Sequence, residues 1–251
     1  MLAKLKLELK VDNGKIDFRK SSNLQGVIFE NIRPEYAAIM HQQAMHPYSQ
    51  NLVWFNGVPV WQVNCLTEGA YKEIIMCLAD PQFSSFTMKG TEDISVEVVK
   101  KDITMESRRE LFKKFQNEDF DNQLNIKFVT PTAFRQNGMY IILPDLRLIY
   151  QSLMMRYSSS SEKVDMNDED MLNDMVANSF ISKHRLQSRY FPVQGSVIPG
   201  FTGSITIRFR GNDTIAQFAR MLMRFGEYSG IGIKTSMGMG AIRIGEVNND
   251  R

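Results

Sequence analysis

Gly230-Ile231-Gly232-Ile233-Lys234-Thr235-Ser236-Met237-Gly238-Met239-Gly240 holds four glycines in two Gly-x-Gly pairs, with an apolar residue inside each pair and five residues between them. Glycine lets the backbone take a positive φ and come close to another chain or a ligand. Two such pairs around Lys234, Thr235 and Ser236 are expected to present backbone N–H groups, one cation and two hydroxyls on a single loop. That combination suits phosphate. Gly230, Gly232, Lys234, Thr235, Ser236, Gly238 and Gly240 are therefore candidate contacts. A dinucleotide fingerprint would need glycine at 235, where threonine stands, and a P-loop would need glycine just before Lys234, where isoleucine stands.

Outward from the loop, Ile215, Phe218, Ala219, Leu222 and Phe225 recur at helical spacing and predict a helix over 212–225. Residues 239–244 predict a strand on the other side. Residues 198–210 alternate, with Ile205, Ile207 and Phe209 on one face and Thr206, Arg208 and Arg210 on the other. A strand at 186–191 precedes them across a turn at Gly195. Residues 125–129 predict a strand closed by Thr130-Pro131. Leu146, Ile149, Leu153, Met154 and Tyr157 predict a helix, and Met171, Leu172, Met175 and Val176 another. Between them, Ser158 to Ser161 and the acid-rich run after it read as a solvated loop.

The N-terminal half repeats the order. Leu5, Leu7, Leu9 and Val11 alternate with charged residues, which predicts a strand over 4–11 with one wet face. Ser22 and Gln25 form a capping-box signature before Leu24, Val27, Ile28 and Ile32. Pro34 opens a short helix running to His41. Asn56-Gly57 between the apolar runs 52–55 and 58–63 signals a hairpin. Thr67 is placed to cap a helix carrying Tyr71, Ile74, Ile75 and Leu78, and residues 94–103 alternate again. Each half thus reads β-α-β-β-α-β, two split βαβ units in an α+β chain. The expected boundaries are 1–105 for the first unit, 106–122 for a helical or extended connector, and 123–251 for the second.

The doubled Gly-x-Gly loop between a helix and a strand resembles the G-φ-G-x5-G-φ-G loop of the RAMP superfamily of CRISPR-associated RNA-binding proteins. Within it, the chain is similar to the sixth Cas family, endoribonucleases that cut CRISPR precursor transcripts. The resemblance implies tandem ferredoxin-like (RRM-like) domains. It also implies CRISPR precursor RNA as substrate, a type III interference complex as recipient of the guide RNA, and room for a homodimer. RNA supplies its own nucleophile, the 2′-OH. The protein need only move protons, giving a 2′,3′-cyclic phosphate and a 5′-hydroxyl without a metal or other cofactor.

Histidine is the side chain suited to proton transfer near neutral pH, and there are three: His41, His46 and His184. His41 matches the family's histidine after the first helical section, and the resemblance carries the catalytic role to it. It should end a helix, whose dipole favours the imidazolium by about 0.3–1 kcal/mol. His46 falls near the lysine of some relatives and is the second candidate proton carrier. Phe29 stands where some relatives have a tyrosine and cannot transfer a proton; Tyr36 and Ser49 are candidate substitutes. His184, in Lys183-His184-Arg185, reads as a solvated or phosphate-contacting residue. His41 and His46 lack the i, i+4 spacing and the glutamate of a zinc-protease motif, so no metal is expected.

Net charge is +2, 43% of residues are hydrophobic and 23% are charged, so any RNA-binding surface must be local. Arg208 and Arg210 on one strand face, the cluster Lys183, Arg185 and Arg189 before a strand, and Lys234 are the candidate RNA contacts. No RNP1 aromatic pattern occurs. Two cysteines without C-x-x-C argue against a disulfide framework and fit a reduced, cytoplasmic setting. No apolar run approaches membrane length. A non-catalytic RNA-binding subunit, and an unrelated α+β enzyme holding a nucleotide on the Gly-rich loop, stay open at this point.

Overall fold

β1 (Leu2–Val11) turns Ala3, Leu5, Leu7 and Leu9 to one buried face and Lys4, Lys6 and Glu8 to the other. It pairs antiparallel with β3 (Val58–Cys65) on one side and β5 (Ile94–Glu106) on the other. β2 (Tyr48–Phe55) joins β3 through the hairpin at Asn56 and Gly57, whose φ values of 50° and 81° are those an Asn-Gly turn requires. β4 (Ser85–Met88) adds to β5, and the sheet runs β2-β3-β1-β5-β4. In this computed structural model residues 1–11, 16–90, 93–116, 122–161, 164–193, 195–211 and 213–245 are described. Part of the expected connector (117–121), the expected helix start at 212 and residues 162–163 of the acid-rich loop lie outside them.

Helices cover one face of this sheet. They are α1 (Ser21–Asn31), α2 (Pro34–Gln42), and a segment in which a π-turn at Tyr71–Ile75 joins α3 (Glu68–Ala70) to α4 (Met76–Ala79). Leu24, Val27 and Ile28 of α1 and Ile74, Ile75 and Leu78 pack with Leu5, Trp61 and Val63 in one core. Each such burial stabilises by roughly 1.5–3 kcal/mol. Trp61 Nε1 donates to Gln50 Oε1 at 2.9 Å, and Gln50 Nε2 donates to the Ser21 carbonyl at 2.7 Å, so the polar atoms of these two side chains are paired within the core.

Local capping differs from expectation in two places. Ser22 does not cap α1: a 3₁₀ turn at Phe18–Lys20, capped by Asp17, precedes the helix and carries Ser22 into it. Instead the capping box is at Ser107 and Glu110, where Ser107 Oγ accepts from Glu110 N at 3.0 Å and Glu110 Oε2 accepts from Ser107 N at 2.7 Å. It starts α5 (Arg108–Gln116). Thr67 does cap α3, its side chain accepting from Ala70 N at 3.2 Å.

The second sheet runs β11-β6-β10-β9, built from β6 (Gln123–Thr132), β9 (Ser179–Val193), β10 (Ser196–Phe209) and β11 (Ile242–Gly245). A small hairpin of β7 (Phe134–Gln136) and β8 (Met139–Ile141) follows β6. α6 (Leu146–Ser159), α7 (Glu169–Ala177) and α8 (Asp213–Ser229) cover one face, with Ile149, Leu153, Leu222 and Phe225 against Ile126, Phe128, Ile205 and Ile207. Both sheets place their first βαββαβ strand beside the third and fourth, the ferredoxin-like order. β9 begins well before the expected position 186, so Lys183, Arg185 and Arg189 lie within the strand; Arg210 lies past the end of β10. α6 also runs through Ser159, into the expected loop, because the Ser159 and Ser160 hydroxyls donate back to the Arg156 carbonyl.

The two units share packing. Leu2 of β1, Leu66 and Leu111 of α5 belong to the core of the second unit. Ser49 Oγ donates to the Tyr228 carbonyl of α8 at 2.5 Å and accepts from Asn64 Nδ2 at 2.9 Å.

Candidate active site

α1, α2 and the start of β2 converge on four neighbouring rings, one pair of them stacked. His41, exposed in the last turn of α2, lies 4.6 Å between centroids from Phe29 of α1. Phe29 lies 6.3 Å from His46, which stacks on Tyr48 at 5.6 Å with planes 16° apart. The two histidines therefore share one aromatic neighbour, and Phe29 positions both. The ring that both candidate proton carriers adjoin is that of a residue that cannot itself carry a proton.

The two imidazoles differ in environment. His46 is half-buried, and its Nδ1 is buried with no hydrogen-bond partner among the described residues. Burial, the largest cause, holds its pKa below the ordinary 6.5; the backbone at Met40 opposes it, and smaller repulsions from His41, Arg156 and Lys234 add to the lowering. The ring is thus neutral at neutral pH. Tyr48 below it is fully buried, its hydroxyl held strongly protonated by that burial. Gln25 Nε2 donates to the Tyr48 hydroxyl at 3.2 Å and to Ser236 Oγ at 3.3 Å. One glutamine of α1 so links the Gly-rich loop to the ring beneath His46. The capping-box signature of Ser22 and Gln25 masks this role.

Both Gly-x-Gly pairs of the loop have their amides engaged within the protein. The N–H groups of Gly230, Ile231, Ile233, Met237, Gly238, Met239 and Gly240 bond backbone carbonyls, and that of Gly232 bonds Ser152 Oγ. The glycines serve close packing. A Cβ at Gly238 would sit 2.3 Å from Ser21 Cβ, and one at Gly232 would sit 2.3 Å from the Ala133 carbonyl oxygen. Thr235 is buried, Ser236 is held by Gln25, and Lys234, with φ 54°, is the exposed residue of the turn. The loop fastens the second unit onto α1 and β2 and projects one cation beside His46.

The other candidates are placed as follows. Tyr36 packs against the first core, its pKa pushed up to about 12 chiefly by burial, which removes it from proton transfer at neutral pH. Ser49 has its hydroxyl engaged twice, donating to the Tyr228 carbonyl of the second unit and accepting from Asn64 on the neighbouring strand of its own sheet. His184 is exposed on β9, opposite Ile205. The sheet register puts Arg243, Lys127, Ser204 and Arg185 side by side across four strands on the helix-free face, with Lys183 opposite Thr206 in the next row and Arg208 farther along β10. Arg189 bonds Gln187 at 2.8 Å, and Arg210 caps the Phe180 ring at 4.3 Å. These cations belong to the second sheet, whereas the histidine cluster is built from α1, α2 and the start of β2. Lys4, Lys6, Lys100 and Arg243 line a cavity of about 330 Å³ between the units. The wet face expected for β1 thus looks onto the second unit.

Arg156 is not marked by any motif. It lies on the buried stripe of α6, three residues after Leu153, and is 8% exposed. An arginine inside an apolar helical stripe is the sequence signal that points to it. Among the described residues no cluster of three or more His, Cys, Asp or Glu side chains is placed to hold a metal ion. No helix among them is long and apolar enough to cross a membrane.

The family profile described as CRISPR-associated endoribonuclease Cas6 matches residues 126–242. A Streptococcus thermophilus protein named CRISPR-associated endoribonuclease Cas6 is 34% identical over 221 residues, covering 88% of this chain and 89% of that protein. A Mycobacterium tuberculosis protein of the same name is 33% identical over 247 residues, covering 97% of this chain and 78% of that protein. Among solved structures, a Thermus thermophilus Cas6 product complex matches with TM-score 0.75 at 20% identity, over 97% of this chain and 100% of that one. A second Cas6 product complex matches with TM-score 0.77 at 21% identity, over 98% and 99%.

Proposed function

This chain belongs to the CRISPR-associated endoribonuclease Cas6 family, and on that footing we propose that it cuts CRISPR precursor RNA within its repeats by moving protons between His46 and His41. The substrate's 2′-OH attacks the adjacent phosphate. Neutral His46 takes the 2′-OH proton, and His41 delivers a proton to the leaving 5′-oxygen. The bond from phosphorus to the 5′-oxygen breaks as the bond to the 2′-oxygen forms, leaving a 2′,3′-cyclic phosphate and a 5′-hydroxyl. Because the nucleophile belongs to the substrate, the scheme requires no metal ion.

The observation that carries this reading is the pair of histidines on one phenylalanine, the first exposed at a helix end and the second held neutral by burial. Two titratable groups whose environments differ are what an acid–base pair requires. Lys234 supplies positive charge beside them. The basic helix-free face, with Lys127, Lys183, Arg185, Arg208 and Arg243, is proposed to hold the RNA flanking the cut. The proposal extends to a cytoplasmic site of action and to hand-over of the guide RNA to a type III interference complex. Sedimentation of the purified chain tests for a homodimer.

The test uses purified protein and repeat RNA in excess chelator. Cutting is expected, with a cyclic phosphate on the product, and a 2′-deoxy substitution at the scissile nucleotide should abolish it. Loss of activity in chelator, or normal cutting of the deoxy substrate, overturns the mechanism. Tight binding without cutting supports a non-catalytic RNA-binding subunit instead.

A further inference from the structure

Two buried or half-buried arginines sit near the Gly-rich loop and α6, and they are treated differently. Arg108 donates to the carbonyls of Tyr157, Leu66 and Ser160 and to Ser160 Oγ, and stacks 4.3 Å over the Tyr157 ring. Its guanidinium is satisfied by the protein, as a structural arginine should be. Arg156 is 8% exposed and donates from Nη2 to the Gly232 carbonyl at 3.0 Å, its one hydrogen bond among the described residues. Among those residues no carboxylate pairs with it. Burial lowers its pKa to about 10, which still leaves it charged at neutral pH. A guanidinium has five N–H donors in a fork that matches phosphate oxygens.

The surroundings of Arg156 are those of an anion site. It lines a cavity of about 390 Å³ with Arg135, Lys234, Gln151 and Ser152. Three cations and no acidic residue line that space. Ala44 and Met45, the two residues before His46, form another part of the wall. The cavity wall therefore includes the segment that leads into the proposed proton acceptor. A buried charge without a counter-ion is unfavourable unless an anion completes it.

We propose that Arg156 binds a backbone phosphate of the RNA strand, and that the cavity it shares with Lys234 and Arg135 seats the phosphodiester next to the scissile one. This rests on the endoribonuclease reading above for the identity of the strand, and on the cavity alone for the anion. Its bond to Gly232 sets the guanidinium against the Gly-rich loop, so docking of that loop and seating of the phosphate are coupled. The Gly-rich loop then acts on the RNA through the arginine it fixes, since the amides of all four of its glycines bond the protein.

The experiment measures binding of repeat RNA with a 2′-deoxy scissile nucleotide across a salt series, for wild type, Arg156→Met and Arg156→Lys. The methionine variant is expected to lower the magnitude of the slope of log affinity against log salt by about 0.7, the contribution of one phosphate on a single strand. The lysine variant should keep the slope and bind more weakly at fixed salt, because a point charge replaces a fork. An unchanged slope in a folded methionine variant, with only its melting temperature lowered, makes Arg156 structural and overturns the proposal. If the methionine variant does not fold, the Arg156 Nε–Hε NMR signal of the wild type decides. A shift on adding the uncleavable RNA upholds phosphate binding; an unmoved signal overturns it. A wild type that binds repeat RNA but does not cut it defeats the endoribonuclease mechanism while leaving the slopes readable. A wild type that does not bind repeat RNA overturns both.

Discussion

The imidazole of His41 rests on the ring of Phe29 with centroids 4.6 Å apart and planes inclined by 33°. The same ring faces His46 at 6.3 Å. An aromatic pair is worth about 0.5–1.5 kcal/mol beyond its buried area, enough to hold a ring in one orientation. Phe29→Ala should release both imidazoles, and a misplacement of about 1 Å can lower a rate by on the order of 10²-fold. Single-turnover cleavage should therefore fall by one to two orders of magnitude, roughly, while affinity for uncleavable RNA changes little. Phe29→Tyr, which keeps the ring, should stay near wild type. A Phe29→Ala enzyme as fast as wild type would show that the shared ring does not position the pair.

His41→Ala and His46→Ala should each slow single-turnover cleavage by roughly 10²–10⁴-fold, the usual contribution of a positioned acid or base. RNA binding should persist in both. Because the two act in one step, the double variant should lose much less than the product of the single losses. Multiplicative losses would indicate independent roles and remove the acid–base pairing.

Most of the fold was legible in the sequence because local rules and packing agreed there. The alternation of Leu5, Leu7 and Leu9, the Asn56-Gly57 turn and the stripe of α8 all answer to one period or one turn type. The capping box shows where such agreement fails. Ser22 and Gln25 carry the signature, yet Gln25 bonds Tyr48 and Ser236, the latter 211 residues away. Ser107 and Glu110 carry the same signature and do cap a helix. Nothing local separates the two, since the competing partner exists only in the folded chain. The candidate histidines could be named from the sequence, because their chemistry is intrinsic to the residue. Arg156 and Phe29 could not be read in this way, since the first stands out only by its burial and the second only by the imidazoles beside it.

His46 gives the protein a pH dependence of known sign. Its folded pKa lies below the ordinary 6.5 because of burial, reinforced by His41, Arg156 and Lys234. Stability associated with the neutral ring is fully present above 6.5 and is lost as pH falls from there through the lowered folded value, since the unfolded chain binds the proton first. Urea midpoints should drop as pH falls below the ordinary imidazole value, and His46→Phe should flatten that part of the drop. In cleavage, Lys234→Met removes a positive neighbour and should move the acidic limb of the rate profile to higher pH. A limb that moves to lower pH, or stays fixed, would separate Lys234 from the titrating group.

Gly238 tests whether the Gly-rich loop works by docking. Its φ is +113°, and a Cβ there would meet Ser21 Cβ at 2.3 Å in α1. Backbone strain alone costs roughly 1–3 kcal/mol for such a residue, and the clash with α1 adds to it. Gly238→Ala should therefore lower the free energy of unfolding by at least that amount. Gly26 is the control, because it lies in α1 and a methyl group added there would have nothing within 4 Å. Gly26→Ala should stabilise by about 0.5–1 kcal/mol through helix propensity. Loop docking also holds Ser236 against Gln25, and Gln25 against the tyrosine beneath His46. At temperatures where Gly238→Ala is still folded, cleavage should fall by more than RNA affinity does. Equal losses of rate and affinity would instead make the loop an RNA-binding surface, with the chain of contacts from Ser236 to His46 carrying no catalytic consequence.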